Sequence, residues 1–402
     1  MISLHEPLFR GNEQKYIKNC LDKGWVSSAG EYVNTFEKKI AMYTGAKYAI
    51  ACINGTSALQ ISLKLVGVKK DDEVIVPSMT FIAAVNAINY NNAKPIFMDC
   101  NEYYTIDTNK TVDFLHKETR TIKKKIGGKN LTITVNKKTG NRISAIIVVH
   151  VFGNAVKISK LVDLCRKKNI ALVEDAAESI GSFYISGKFK KKHTGTIGTI
   201  GCLSFNGNKI ITTGGGGMIL TNNKKIAKKA KYITNQAKDD SIYSIHNEVG
   251  YNFRLPNVLA ALGLAQLESL SKYIKKKKLI HERYKKKINI IKDLSITTTP
   301  NYALSNYWLN ILEINKKLSK KKLSKIIQYF YKNNIQVRPL WHPNHLQREY
   351  KKCQTYKLKN VNNIYKNRLC LPSSSQLTVK QQDFICKKIK FFFKKAKTIE
   401  KL

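Results

Sequence analysis

The chain has 402 residues, long enough for one large domain and a smaller one, and 43% of them are apolar, so a full core can form. Lys and Arg number 71 against 27 Asp and Glu, a formal net charge of +44. The lysines are spread in short runs, such as Lys123 to Lys125, Lys275 to Lys278 and Lys320 to Lys322, between Ile, Leu, Tyr and Asn, which reads as solvated helix faces rather than a nucleic-acid surface.

Eight cysteines show no Cys-x-x-Cys spacing and lie mostly in apolar stretches, as reduced core thiols do. Met1 to Arg10 has no apolar signal core, and no apolar run reaches the length of a membrane span. The expectation is a soluble, cytoplasmic protein.

In chain order, residues 11–23 and 31–43 read as amphipathic helices. Between them Trp25 stands among small polar residues, where it either lines a site or anchors packing. Lys47 to Ile53 is a short apolar strand that runs into Asn54-Gly55-Thr56-Ser57 and a helix to about Val66. Free N–H groups and hydroxyls at a positive helix end suit a phosphate; the plainer alternative is N-capping by Thr56 or Ser57. Glu73 to Val76 is a buried strand, and Pro77-Ser78-Met79-Thr80-Phe81 opens a helix to Tyr90. Phe81 then falls at a strand's C-terminal end, where α/β ligands sit, and either covers a flat ring or joins the core.

Pro95 to Asp99 is a further strand, and residues 119–143 read as an irregular, lysine-rich excursion with turns at Gly127-Gly128 and Thr139-Gly140 and a small hairpin near Leu131 to Val135. Ile143 to His150 is a β-branched strand, 156–168 a helix, and Ile170 to Val173 a strand ending in Glu174-Asp175-Ala176-Ala177-Glu178. An acid at that edge either pairs with a buried cationic nitrogen or caps a helix. Next comes Ser204-Phe205-Asn206-Gly207-Asn208-Lys209, with Gly214 to Gly217 shortly after. A lysine that forms a Schiff base needs a fixed stem, a depressed pKa and room for a flat cofactor, and backbone without Cβ leaves such room; a simple turn is the plainer reading.

Strands and helices alternate to about residue 235, so the fold class is α/β with a mainly parallel sheet. Pro256 reads as an early residue of a helix to Leu270, and a second, basic helix spans about 272–291. The expected division is 1–270 for the large domain and 271–402 for a connecting helix and a smaller α+β domain. The latter has a strand near Tyr307 to Ile314, a helix near 319–333, and a final helix opened by the capping box Thr378 to Gln381. Phe384, Ile385, Ile389, Phe392 and Phe393 form that helix's apolar side. His342 and His345 have no nearby Cys or carboxylate cluster, so no metal site is expected.

As an ordered set, Trp25-Val26-Ser27-Ser28, Asn54 to Leu59, Pro77 to Phe81, Glu174 to Glu178, Ser204-Phe205 with Lys209, Gly250-Tyr251-Asn252-Phe253-Arg254 and Arg338-Pro339-Leu340-Trp341 resemble the fold-type-I pyridoxal-phosphate aminotransferases of nucleotide-linked keto sugars, the DegT/DnrJ/EryC/StrS group. The resemblance covers nearly the whole chain. Ser204 to Asn208, Ile210 to Thr213 and His246-Asn247-Glu248 look most like the branch that feeds bacillosamine and legionaminic acid.

This resemblance implies that Lys209 forms the Schiff base with pyridoxal 5'-phosphate and moves protons, that Asp175 faces the pyridine nitrogen, and that Phe81 stacks on the ring. Gly55, Thr56, Ser57 and Ser204 would hold the phosphate, with Asn252 reaching it from the partner of a homodimer. Glu178 would stand beside the ring hydroxyl, where many relatives carry Gln. Trp25, Arg338 and His345 fall on the substrate side. The implied reaction is transfer of an amino group from L-glutamate to a UDP-linked 4-keto-6-deoxy-N-acetylhexosamine, giving a UDP-4-amino sugar for surface glycan synthesis. The rival readings are a pyridoxal-phosphate sugar dehydratase, against which Lys209 itself argues, and a non-catalytic cofactor- or polyanion-binding protein.

Overall fold

A computed structural model describes residues 1–126, 129–240, 242–316 and 318–395. Its centre is an eight-stranded sheet: β1 (Tyr48–Cys52), β2 (Glu73–Pro77), β3 (Lys94–Met98), β4 (Ile143–Val149), β5 (Ala171–Asp175), β6 (Ile200–Ser204), β7 (Gly217–Thr221) and β8 (Thr355–Tyr356). The spatial order is β1-β7-β6-β5-β4-β2-β3-β8, with β7 alone antiparallel to its neighbours.

The strand sequences explain why this sheet is covered on both faces. All seven residues of β4 are buried. Ala145, Ile147 and Val149 join one apolar cluster, while Ile146 and Val148 join another on the opposite face. Side chains alternate across a strand, so a continuous apolar run needs cover on both sides. Helices supply it, as in the α/β architecture expected.

The end of the glycine run works differently from expectation. A Cβ on Gly217 would lie 2.4 Å from the carbonyl carbon of Asn54. The missing side chain there lets β7 pass against the Asn54–Gly55 backbone, whereas Gly214 and Gly215 keep open space or ordinary contact beside them.

Three further readings are corrected. Residues 257–288 form one unbroken helix, with Pro256 extended at its N-cap rather than inside it. The expected division after residue 270 falls within that helix. The excursion after residue 118 is a regular antiparallel hairpin, Thr119–Ile126 on Lys129–Asn136, eight residues a side; the turn signal Gly127-Gly128 lies outside the described residues. Finally, Lys277, inside a run read as a solvated face, is 1% exposed. It falls on the stripe Tyr273, Ile280, Tyr284 and Ile288, which helical periodicity turns inward.

A four-stranded sheet drawn from Leu294–Ile296, Asn310–Ile314, Arg338–Pro339 and Arg368–Leu371 packs with the end of the long helix and with helix Val379–Lys395 around a third apolar cluster. Thr378 and Gln381 bond reciprocally, side chain to backbone N–H, as a capping box does. Ile385 and Ile389 are fully buried in that last helix, whereas Phe384 is exposed, against its reading as apolar-side. All eight cysteines are free thiols, seven of them buried. Among the described residues no helix is long and apolar enough to cross a membrane.

Candidate active site

The C-terminal ends of β4, β5 and β6 carry the titratable groups. Consecutive residues of β5 point to opposite faces, so Glu174 and Asp175 meet different surroundings. Glu174 is fully buried and fully partnered: it accepts from the N–H groups of Gly195 (2.9 Å), Ile197 (2.6 Å) and Gly198 (2.5 Å), and His150 Nε2 lies 3.0 Å away. Burial pushes its carboxyl up, but His150 and the backbone donors outweigh that and hold it below the usual range.

The carboxylate of Asp175, also buried, accepts a single hydrogen bond among the described residues, from the N–H of Ala177 at 3.0 Å. Its carboxyl is raised, chiefly by burial, with the Ala177 N–H and the Lys209 charge offsetting part of it. Glu178 sits one turn later. Phe152 N–H donates to its Oε2 at 2.8 Å, and Lys209 Nζ stands 3.5 Å from Oε1. Burial pushes this carboxyl up to about 7 even with Lys209 beside it.

Lys209 follows β6. Its own N–H bonds Asn206 O at 2.9 Å, and the Trp308 indole donates to Asn208 O at 2.8 Å, so the loop carrying the lysine is fastened at both sides. The Nζ lies 4.2 Å from the centre of the Trp308 ring, a cation–π contact. Asn306 ties that tryptophan to the acid's loop: its Oδ1 accepts from the Trp308 backbone N–H at 2.9 Å, and its Nδ2 donates to Glu178 O and Ile180 O, each at 2.9 Å.

An aromatic wall continues from there. Phe152 stacks on Trp308 at 6.2 Å and on Trp341 at 4.9 Å, and Phe81 meets Trp341 edge-on at 6.0 Å. Phe81 is 54% exposed, which removes the core reading and leaves its ring open for a flat ligand. Phe152 holds φ 57, ψ 19, a left-handed backbone that costs an aromatic residue on the order of 1 kcal/mol or more. That strained turn aims its N–H at Glu178 and its ring at the tryptophans.

At the edge formed by β1, β7 and β6, Asn54 is the N-cap of helix Gly55–Leu65: its Oδ1 accepts from Ser57 N–H at 2.7 Å. Capping by Thr56 or Ser57 is thereby corrected. A Cβ on Gly55 would come within 2.8 Å of Ser204 Cβ, so Ser204 presses against the start of this helix. The helix start, with N–H groups that lack intrahelical partners and Ser204 alongside, is a positive end of the kind that suits an anion.

The geometry thus brings together Lys209, Asp175 and Glu178, links Phe81 to them through the aromatic wall, and joins Gly55, Thr56 and Ser57 to Ser204. His345 holds a different position: its Nδ1 is 2.7 Å from Ser78 Oγ, bracing the loop that carries Phe81. Trp25, Asn252 and Arg338 are exposed and make no side-chain contact with the Lys209 group among the described residues. Sequence reasoning missed Phe152, Trp308 and Asn306. Phe152 had a signal, lying just past a buried strand at the ligand edge; Trp308 and Asn306 come from a distant segment and had none.

These residues fit pyridoxal phosphate. An underpaired buried acid suits a cationic ring nitrogen, the positive helix start suits a phosphate, and the lysine lies between acids and an aromatic surface. The EpsN protein of Bacillus subtilis (strain 168) is 34% identical over 95% of this chain and 93% of its own. A GDP-perosamine synthase of Vibrio cholerae is 34% identical over 98% of this chain and 99% of its own. The crystal structure of a DegT DnrJ EryC1 StrS aminotransferase from Brucella abortus matches with a TM-score of 0.83 at 25% identity, covering 95% of both chains. The model of the DegT/DnrJ/EryC1/StrS aminotransferase family matches residues 7–390, and with the mainly parallel sheet and its lysine-bearing edge, this chain belongs to that family.

Proposed function

We propose that this protein is a pyridoxal-phosphate-dependent nucleotide-sugar aminotransferase that moves the amino group of L-glutamate to the ketone of a nucleotide-linked 4-keto-6-deoxy sugar. The observation that carries the reading is Lys209, seated on Trp308 with Glu178 beside it and the underpaired Asp175 in its field. Bound pyridoxal phosphate supplies an aldehyde that carries nitrogen between substrates and a ring that withdraws electrons.

The chain's own residues do the rest. Lys209 Nζ takes and returns the proton at the carbon bonded to the travelling nitrogen, general acid–base work by one amine in both half-reactions. Asp175 stabilises a proton on the ring nitrogen, because a carboxylate in a dry site favours the cation beside it. Gly55, Thr56, Ser57 and Ser204 would hold the cofactor's phosphate, Phe81 would cover its ring, and Glu178 would serve its ring hydroxyl.

The finer substrate is a UDP-linked 4-keto-6-deoxy-N-acetylhexosamine, supported by the resemblance carried in Ser204 to Asn208 and His246 to Glu248. The likeness to a GDP-perosamine synthase supports a second reading, a GDP-linked sugar. Incubation of the purified protein with L-glutamate and each keto sugar, read by mass spectrometry of the product, separates them. Amination of one selects the nucleotide; amination of neither removes the proposal.

The working unit is a homodimer. Asn252 is exposed on its own protomer, and nearby Ile242, Tyr243 and Val249 are 83%, 78% and 74% exposed, an apolar surface that suits a partner. On this reading Asn252 completes the phosphate cradle of the other protomer. Trp25 and Arg338 complete the sugar side, and His345 positions the loop bearing Phe81. The enzyme acts in the cytoplasm on activated sugars destined for a surface glycan.

A further inference from the structure

The N-terminal segment is pinned on both sides of His5. Leu4 N–H donates to Gln336 Oε1 at 2.9 Å, Leu4 O accepts from Ser373 N–H at 2.8 Å, and Glu6 N–H donates to Ser374 Oγ at 2.8 Å. His5 is half-buried, but both of its ring nitrogens are shielded from solvent, and neither has a hydrogen-bond partner among the described residues. Shielded ring nitrogens left unpaired destabilise the fold unless something arrives to pair with them.

Ser373 also connects His5 to a second group that the reaction above does not use. Its carbonyl accepts from Lys277 Nζ at 2.6 Å, and Trp308 O accepts from the same Nζ at 3.0 Å. An ammonium carries three N–H groups, so one remains for another partner. Trp308 in turn carries Lys209 on its ring. Lys277, Trp308 and Lys209 are therefore linked contact by contact, and His5 lies in the field of both lysines.

The hydrogen-bond donors left over among these residues suit one class of ligand. Burial first, then the ammonium groups of Lys277 and Lys209, hold the His5 ring well below its usual pKa, so it is neutral, with one donor and one acceptor nitrogen. Burial lowers Lys277 to about 7, which leaves it partly charged at neutral pH, and its remaining N–H together with the His5 donor suits an anion. The keto sugar carries its negative charge on phosphates, beyond the sugar ring from the reacting carbon. The amino donor carries carboxylates within a few bonds of the nitrogen that Lys209 serves.

We infer that His5 and Lys277 contact the amino donor, receiving one of its carboxylates: the His5 N–H donates to it and the Lys277 ammonium faces it. The inference rests on the aminotransferase reading above.

Its test uses the cofactor-loaded enzyme and the variants His5→Phe and His5→Gln. Binding of glutarate, a dicarboxylate without an amine, is measured by calorimetry; glutamate half-saturation is measured from the cofactor's absorbance. The inference expects His5→Phe to weaken both by at least about tenfold. It expects His5→Gln, which keeps a donor, to recover part of the loss, and return of the amine to the keto sugar to change less. Unchanged glutarate binding in His5→Phe overturns the inference, as does a loss confined to the sugar half-reaction. If His5→Phe fails to hold cofactor, weaker glutarate binding by His5→Gln supports the inference and wild-type binding overturns it. A wild-type protein that glutamate does not aminate would instead sink the aminotransferase reading, so the two failures are distinguishable.

Discussion

Glu174 and Asp175 are neighbours on one strand, yet they occupy opposite kinds of site. On one face, Glu174 has three backbone N–H groups and His150, and its charge is held. On the other, Asp175 has one N–H and a carboxyl raised chiefly by burial. Both acids are buried, so burial alone does not distinguish structure from function. Saturation does. An acid whose lone pairs are filled by its own fold braces that fold, whereas one left short is held ready for something the chain does not contain.

Four substitutions sharpen or break this contrast. The largest effect is expected from Asp175→Asn, which should slow amine transfer by about a hundredfold or more, since it removes the charge facing the ring nitrogen. Stability of the cofactor-free protein should hold or rise, because the ionised acid is disfavoured by burial. Rate assays and urea titration check the two halves.

Glu174→Gln should do the reverse. Replacing a saturated buried carboxylate leaves donors unmatched, and the loss is about 3 kcal/mol by denaturant titration. Amine transfer by the protein that remains folded should fall by less than about tenfold. Equal behaviour of the two substitutions would erase the distinction.

Glu178 lies between the two, with one backbone N–H on one oxygen and the Lys209 ammonium near the other, and is raised to about 7 from 4.5. Between those values the folded chain binds more protons than the unfolded one, so stability falls as pH rises through the window. The penalty is absent below 4.5 and complete above 7, about 3 kcal/mol at ~1.4 kcal/mol per unit. Cofactor-free Glu178→Gln should lose that slope in denaturation curves taken across the window. A slope that survives assigns it elsewhere. The smallest effect is Thr378→Ala, far from this edge: loss of the capping box should cost ~1 kcal/mol and leave amine transfer unchanged.

What was legible before the structure follows the same division. Strand identity and order along the chain were readable because runs such as Ile143 to Val149 admit little besides a strand covered on both faces. Lys209 and Asp175 were readable because they sit at fixed offsets from such strands. Groups that reach the site from far along the chain were not: Trp308 and Asn306 are tied to the lysine loop and to Glu178 only by tertiary contact. Lys277 was hidden by its neighbours, since a run of four lysines reads as solvent-facing unless each is placed on the helix's own stripe. The N-cap was misread because Asn54, Thr56 and Ser57 are all good caps, and only the backbone entering the helix selects Asn54. The break expected near residue 270 reflected a change in composition, from Ala and Leu to Lys, that helical backbone tolerates without interruption.

The most direct test of the central claim is the absorbance spectrum of the purified protein with pyridoxal phosphate, before and after excess L-glutamate, with Lys209→Ala alongside. The account predicts a lysine-bound cofactor band in the wild type that glutamate converts to the aminated form, and no lysine-bound band in the variant. A wild-type spectrum that glutamate leaves unchanged, or a variant spectrum identical to it, would contradict the role assigned to Lys209.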